Sequence, residues 1–177
     1  MATPPTHKSH AMPTPASHEQ RDAHEALVLF VCTGNTCRSP MAEAIARDVL
    51  GRELRPAHRV RVESAGVSAY GGDAMTDEAR EALEAMGVDA GRHLSRRLDE
   101  RLLASASVVY VMTKAHEREA KAVAPTHANK IQLLDPAGTD IADPIGGSSA
   151  EYMRTADRLR TLVRGRLREM IEGNAER

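Results

Sequence analysis

The sequence is poor in aromatic residues and in cysteine. Among its 177 residues there is no Trp and only one Phe, so the core must be aliphatic and stacking on nucleic-acid bases is not expected. The two cysteines, Cys32 and Cys37, lie too close together in the chain to staple a fold. Their number and spacing also fit no four-ligand zinc site. We therefore expect them to serve chemistry, and we expect no metal or other cofactor.

An excess of charge of one sign and long apolar runs are missing as well. The 24 Lys and Arg residues nearly balance the 25 Asp and Glu residues, which gives no basis for nucleic-acid binding. The longest strongly apolar run, 26–32, is far shorter than the roughly 20 residues of a membrane-spanning helix. The first 24 residues lack the apolar centre of a secretory signal. We expect a cytoplasmic protein that does not associate with membranes.

The chain divides into a polar tail and one domain. Residues 1–24 are rich in Pro, Thr, Ser, Ala and His and show no apolar periodicity, which predicts a disordered tail. Its four histidines are compatible with metal binding, but the composition alone does not favour it. Residues 25–173 have the length and pattern of a single domain, and we expect a monomer.

Apolar runs typical of buried strands alternate with amphipathic helical segments through this domain. A parallel sheet covered by helices on both faces follows from such alternation, so we predict a three-layer α/β fold with four strands. The strands are predicted at 26–32, 59–63, 107–112 and 130–134, and the helices at 40–50, 76–86, 98–104, 114–124 and 149–171.

A polar loop, Cys32-Thr-Gly-Asn-Thr-Cys-Arg-Ser-Pro40, joins the first strand to the first helix. We predict Ser39 as the N-cap and Pro40 as the first helical residue, so that backbone N–H groups of the loop point inward at an anion. The fork-shaped guanidinium of Arg38 suits two phosphate oxygens. The residues expected to line this phosphate site are Thr33, Gly34, Asn35, Thr36, Cys37 and Ser39.

Cys32 begins the loop, where the inward amides, the helix terminus and Arg38 favour its thiolate. A thiolate beside a bound phosphate is placed to act as a nucleophile. A buried structural cysteine would explain Cys32 alone, but not an arginine six residues later at a helix start. Neither nucleotide-binding glycine pattern is present, so adenine nucleotides are not expected.

The segment Val31-Cys-Thr-Gly-Asn-Thr-Cys-Arg-Ser-Pro-Met-Ala-Glu43 resembles the active-site loop of the low-molecular-weight protein phosphatases. The resemblance extends over about 26–171. It implies that Cys32 is the nucleophile, that Arg38 clamps the phosphate and that Ser39 assists the leaving thiolate. It also implies that Asp143 is the general acid. Ser64 and His93 match the residues that hold the loop asparagine in place.

Two Asp-Pro pairs compete for the role of the acid. Spacing alone does not separate Asp135 from Asp143. The resemblance favours Asp143, because Gly146, Gly147 and a final helix follow it as in the family. Asp135 ends the fourth predicted strand and is better placed to cap a turn.

The substrate is predicted from the residues around the loop. Thr36 resembles the bacterial protein-arginine phosphatases, since tyrosine-directed members more often have a bulkier aliphatic residue there. Tyrosine-directed members also place aromatic residues after the Asp-Pro pair, where this chain has Ile145. Arginine-directed members often have Phe at Ile145, and Tyr70 is the expected aromatic wall. Phosphoproteins are the expected partners; we predict phosphoarginine as substrate, with phosphotyrosine as the alternative.

Two further activities share this loop. Thiol-dependent arsenate reductases relay oxidation through additional cysteines, and this chain has no third cysteine. A phosphopeptide-binding or redox-sensing module would lack the acid, yet Asp143 is present. A reversible disulfide between Cys32 and Cys37 is a separate hypothesis about regulation.

Overall fold

Four parallel strands form the centre of the protein. The computed structural model describes residues 25–54 and 60–175, so the predicted tail at 1–24 and the start of the second predicted strand at Arg59 lie outside the described residues. The strands run in the order β2-β1-β3-β4, and each neighbouring pair is parallel, as predicted. Their bounds are Ala26–Cys32 for β1, Val60–Gly66 for β2, Val108–Val111 for β3 and Ile131–Leu133 for β4.

Within the described ranges, five α-helices connect and cover the strands. Their bounds are Arg38–Val49 for α1, Asp77–Ala85 for α2, Glu100–Ser105 for α3, Lys114–Val123 for α4 and Ser149–Ala175 for α5. A π-helical turn, Leu50–Leu54, continues α1, and a 3-10 helix, Pro125–Lys130, precedes β4.

The alternation of side chains along β1 explains the two covered faces. Val28 and Phe30 point into a core shared with α1, α2 and α5, whereas Leu27 and Leu29 point into a second core shared with α3 and α4. Successive residues of a strand face opposite sides of its sheet, so a continuously apolar strand needs cover on both. The prediction of helices on both faces is confirmed.

Several element boundaries differ from prediction. β2 continues through Gly66 instead of ending at Glu63, because Ser64 to Gly66 pair with the buried end of β1. α3 begins after Asp99, whose carboxylate caps it by accepting from the Leu102 N–H, and not at Leu98. α5 runs on to Ala175, beyond the predicted end at Ile171.

Of the helices in the described ranges, none has both the length and the apolar composition needed to cross a membrane.

Candidate active site

The site lies at the carboxyl ends of β1 and β3, where the loop from Cys32 leads into α1. The helix begins at Arg38 with Cys37 as its N-cap, so the predicted N-cap at Ser39 is wrong. Pro40 therefore lies in the first helical turn but not at the first position, which is tolerated because N–H groups of that turn have no partner within the helix. Ser39 does not cap the helix because its hydroxyl faces the Cys32 thiol.

The Cys32 thiol is in contact with that hydroxyl. Its Sγ lies 3.0 Å from Ser39 Oγ, and both side chains are buried. The Ala65 carbonyl lies 3.3 Å from the same hydroxyl and is an alternative acceptor for its proton. Ser39 is thus able to donate to a thiolate at Cys32.

Asn35 holds the loop in its curled form. It is buried, and its φ of 58° lies in the left-handed region that asparagine tolerates better than most residues. Its Nδ2 donates to Ser39 Oγ and Ser64 Oγ, each at 2.9 Å, and its Oδ1 accepts from the Arg96 N–H at 2.9 Å. Every polar atom of the side chain is bonded, which offsets the cost of the backbone conformation.

His93 supports the same residue through the backbone. Its Nε2 lies 2.7 Å from the Asn35 carbonyl oxygen, which only accepts, so the histidine carries its proton on Nε2. Ser64 in turn donates to Glu43 at 2.6 Å. Ser64 and His93 therefore both contact Asn35.

The end of β2 packs tightly against the loop at Gly66. A Cβ atom at this position would lie 2.4 Å from the Thr33 carbonyl oxygen and 2.9 Å from the Asn35 nitrogen. The loop is also tied to the following segment, because Ser68 donates its N–H to the Thr33 carbonyl at 3.0 Å. Only glycine permits this close approach of the two backbones.

Arg38 connects the loop to the predicted acid. One of its terminal nitrogens donates to the Ile141 carbonyl at 3.0 Å, and the other lies 2.5 Å from Asp143 Oδ2. The Arg38 side chain is 5% exposed and that of Asp143 is 39% exposed. The pair therefore joins a buried guanidinium to a carboxylate that solvent can reach. A buried guanidinium paired in this way is fixed in orientation.

The two Asp-Pro pairs occupy different places. Asp143 follows a segment that is anchored to the end of β3 by a hydrogen bond from the Ile141 N–H to the Met112 carbonyl. Asp135 instead pairs with Arg158 at 2.8 Å and accepts from the Ala137 N–H, as in a capped turn. These two donors lower the pKa of Asp135, the Arg158 hydrogen bond most of all. Asp143 is the member of the two that contacts Arg38.

The predicted substrate walls are on the rim. Thr36 is half-buried, and its Oγ1 would lie 3.6 Å from a Cβ placed at Gly34, so the hydroxyl lies beside Gly34. Tyr70 is 97% exposed on the loop after β2, and Ile145 is 62% exposed beside Asp143. The side chains of Tyr70 and Ile145, which form the exposed rim, are therefore far less constrained than the buried side chains of the loop.

Three residues in contact with the loop or with its support at Ser64 were not predicted. Arg96 and Glu43 bind Asn35 and Ser64, and His116 binds Thr33. Glu43 ends the segment that resembles the family's loop, so its position in the sequence could have indicated it. Arg96 and His116 come from distant parts of the chain, and no local pattern relates them to the loop.

Comparison with known proteins identifies the family. The model of the low molecular weight phosphotyrosine protein phosphatases matches residues 27–175.

This chain belongs to that family.

Two relatives with different names illustrate the similarity. A protein-arginine-phosphatase of Bacillus subtilis is 40% identical over 141 residues, 77% of this chain and 91% of that protein. A low molecular weight protein-tyrosine-phosphatase of Streptomyces coelicolor is 32% identical over 163 residues, 84% of this chain and 97% of that protein.

A solved structure of the family matches the fold. It is a YwlE arginine phosphatase mutant with a phosphorylated active-site serine, 37% identical, with a TM-score of 0.73 over 78% of this chain and 91% of that one. The predicted resemblance to this phosphatase family and to its arginine phosphatase branch is confirmed.

The second cysteine of the loop, Cys37, is buried. Burial, strengthened by the negative charge of Asp143, raises the pKa of the Cys37 thiol to about 12. Cys37 is therefore protonated at neutral pH, and a protonated thiol is a poor nucleophile. Both cysteines are free, and the proposed disulfide between them stays a prediction.

Alkylation should separate the two cysteines. At pH 7 we expect iodoacetamide to modify Cys32 and leave Cys37 intact, because only thiolates react rapidly. Inorganic phosphate should slow the reaction at Cys32 by occupying the loop. Peptide mapping by mass spectrometry measures both, and equal labelling of the two cysteines would contradict the assignment of Cys32 as the nucleophile.

Proposed function

We propose that this protein is a phosphatase that hydrolyses phosphoarginine in proteins through a phosphocysteine intermediate, with Cys32 as the nucleophile. The observation that carries the proposal is the convergence of the Cys32 thiol, the Ser39 hydroxyl and the Arg38–Asp143 pair at one loop. The relative from Bacillus subtilis, named a protein-arginine-phosphatase, supports the choice of substrate.

In the first step, the Cys32 thiolate attacks phosphorus in line with the departing group. The phosphorus–nitrogen bond breaks, and Asp143 gives its proton to the leaving guanidino nitrogen. Arg38 and the backbone N–H groups of the loop stabilise the charge on the equatorial oxygens. The products are a phosphocysteine, an ionised Asp143 and a protonated arginine side chain on the substrate protein.

In the second step, water attacks the phosphocysteine while Asp143, now a carboxylate, accepts a proton from the water. The phosphorus–sulfur bond breaks, and the electron pair returns to Cys32. The Ser39 hydroxyl, 3.0 Å from the sulfur, stabilises the departing thiolate by donating to it. Inorganic phosphate leaves, and the starting thiolate is restored.

Thr36 supports phosphoarginine over phosphotyrosine. A hydroxyl at this half-buried position offers a polar contact to a guanidinium, whereas an aliphatic side chain would favour a flat phenol ring. The relative from Streptomyces coelicolor, named a protein-tyrosine-phosphatase, keeps phosphotyrosine as the second candidate. The exposed side chains of Tyr70 and Ile145 are available as walls for either substrate.

The direct test compares phosphate release from two peptides of matched sequence, one with phosphoarginine and one with phosphotyrosine. We expect the initial rate to be higher with phosphoarginine, with the Cys32→Ser variant as the blank. A higher rate with phosphotyrosine would leave the mechanism intact and overturn the substrate.

Thr36→Ile should move the preference toward phosphotyrosine by about tenfold or more, since it removes a polar partner for the guanidinium and adds an apolar surface. The measurement is the ratio of kcat/KM for the two peptides. Thr36→Ser is the matched control, because it keeps the hydroxyl and should keep the ratio. An unchanged ratio in Thr36→Ile would remove Thr36 from the specificity argument.

We also propose that the protein acts in the cytoplasm. The mechanism requires a reduced Cys32, and reducing compartments keep such thiols free.

A further inference from the structure

A buried histidine binds the residue next to the nucleophile. His116 lies in the first turn of α4 and is 4% exposed. Its Nε2 is 2.8 Å from Thr33 Oγ1, although 83 positions separate the two residues in the chain. Thr33 directly follows Cys32 in the loop and is exposed to solvent. The proposed mechanism has so far used neither side chain.

The direction of this hydrogen bond follows from the other ring nitrogen. His116 Nδ1 is buried and has no hydrogen-bond partner within the described part of the chain. Buried N–H groups without a partner are rarer in proteins than under-satisfied acceptors, so the proton belongs on Nε2. His116 then donates to Thr33 Oγ1, and the hydroxyl must point its own proton elsewhere.

The ring stays neutral in the working range of pH. Burial, helped by the nearby positive charge of Arg38, lowers the pKa of His116 to about 4, against the opposing effects of Asp143 and Asp140. A neutral ring with a fixed tautomer can donate only one hydrogen bond. The direction of the hydrogen bond, from His116 to the Thr33 hydroxyl, is therefore constant at neutral pH.

The surroundings of Thr33 indicate what the hydroxyl meets. Its carbonyl is already occupied by the Ser68 N–H, and its side chain is exposed one residue after Cys32, in the loop itself. The ligand expected in that loop is a phosphoryl group, whose oxygens only accept hydrogen bonds. Because the Thr33 hydroxyl accepts from His116, its own proton is left to donate, and a phosphoryl oxygen can accept it.

We propose that His116 is a positioning residue that orients the Thr33 hydroxyl so that it donates a hydrogen bond to an oxygen of the bound phosphoryl group. The inference rests on the loop being a phosphate site, as the proposed function requires, but not on a preference for phosphoarginine. The contact is made to the group that all substrates share, so its loss should affect them equally.

Removal of either partner tests the pair. Thr33→Val and His116→Leu should each lower kcat/KM by about 10- to 100-fold, the range for a hydrogen bond to a charged group. The loss should be equal for the phosphoarginine peptide and for p-nitrophenyl phosphate. The double variant should be no worse than Thr33→Val alone, because His116 acts only through Thr33.

A binding measurement separates this inference from the proposed function. The concentration of inorganic phosphate that protects Cys32 from iodoacetamide gives a dissociation constant without any turnover. We expect both variants to raise it about tenfold. A protein that hydrolyses neither substrate would overturn the proposed function, while the phosphate constants would still support or reject the role of His116.

Conservative variants distinguish the loss of the hydrogen bond from a general disturbance of the structure. Thr33→Ser keeps the hydroxyl, and His116→Gln keeps a side-chain N–H donor, so both should restore phosphate binding and kcat/KM to within about threefold of wild type. Thermal unfolding checks the folding of each variant. Additive losses in the double variant, an unchanged phosphate constant in a folded Thr33→Val protein, or a loss confined to one substrate would each overturn the inference.

Discussion

Replacing Asp143 by asparagine should lower kcat by about 10²- to 10⁴-fold, the usual range for a lost general acid and base. The amide is nearly the same size but neither gives nor takes the required proton. The substitution should not weaken phosphate binding, because it removes the negative charge of the carboxylate that pairs with Arg38. Steady-state rates and phosphate inhibition measure the two effects separately.

Asp135→Asn is the matched control for this experiment. It alters the other Asp-Pro pair, whose carboxylate binds Arg158 and the Ala137 N–H and does not contact Arg38. We expect a modest loss of thermal stability and little change in kcat. If Asp135→Asn lost the larger share of activity, the assignment of the acid would have to be reversed.

Cys32→Ser should abolish turnover, with a loss of about 10⁴-fold or more, because a serine hydroxyl is not ionised at neutral pH and has no base beside it. The backbone of the loop stays in place, so inorganic phosphate should still bind. Rates on both peptides and isothermal titration with phosphate provide the measurements. The related YwlE arginine phosphatase with a phosphorylated active-site serine suggests looking for a trapped phosphoserine by mass spectrometry.

Cys37→Ser serves as the matched cysteine control. Cys37 is buried, and its pKa is raised to about 12, so its thiol takes no part as a nucleophile. Its replacement should cost far less activity than that of Cys32. A similar loss in both variants would mean that disturbance of the loop, and not loss of the nucleophile, explains the first result.

The strand, loop and helix around Cys32 could be predicted because their signals are local. The apolar run of β1 and the glycine and asparagine of the loop all lie within 15 residues of one another. The exact start of α1 could not be predicted in the same way. Ser39 has the chemistry of an N-cap, but its hydroxyl is used by Cys32 and Asn35, and that competition is visible only in three dimensions.

The partners of the loop from other parts of the chain were harder to predict. Ser64 and His93 were found only through the resemblance to the family. Arg96 binds Asn35 through its backbone N–H, a contact that any residue type could make, so its identity carries no signal. His116 is an ordinary residue of an amphipathic helix until the topology of the sheet places β3, the strand that leads into α4, beside β1.

The many bonds around Asn35 also bear on how this family diversifies. A loop held by Ser39, Ser64, Arg96 and His93 has its shape before any substrate arrives, so binding does not have to include the entropic cost of ordering it. We propose that changes on the exposed rim, at positions such as Ile145, alter which side chain is admitted without disturbing the reacting centre. Substrate preference can therefore drift among descendants by surface substitutions while the chemistry is inherited unchanged.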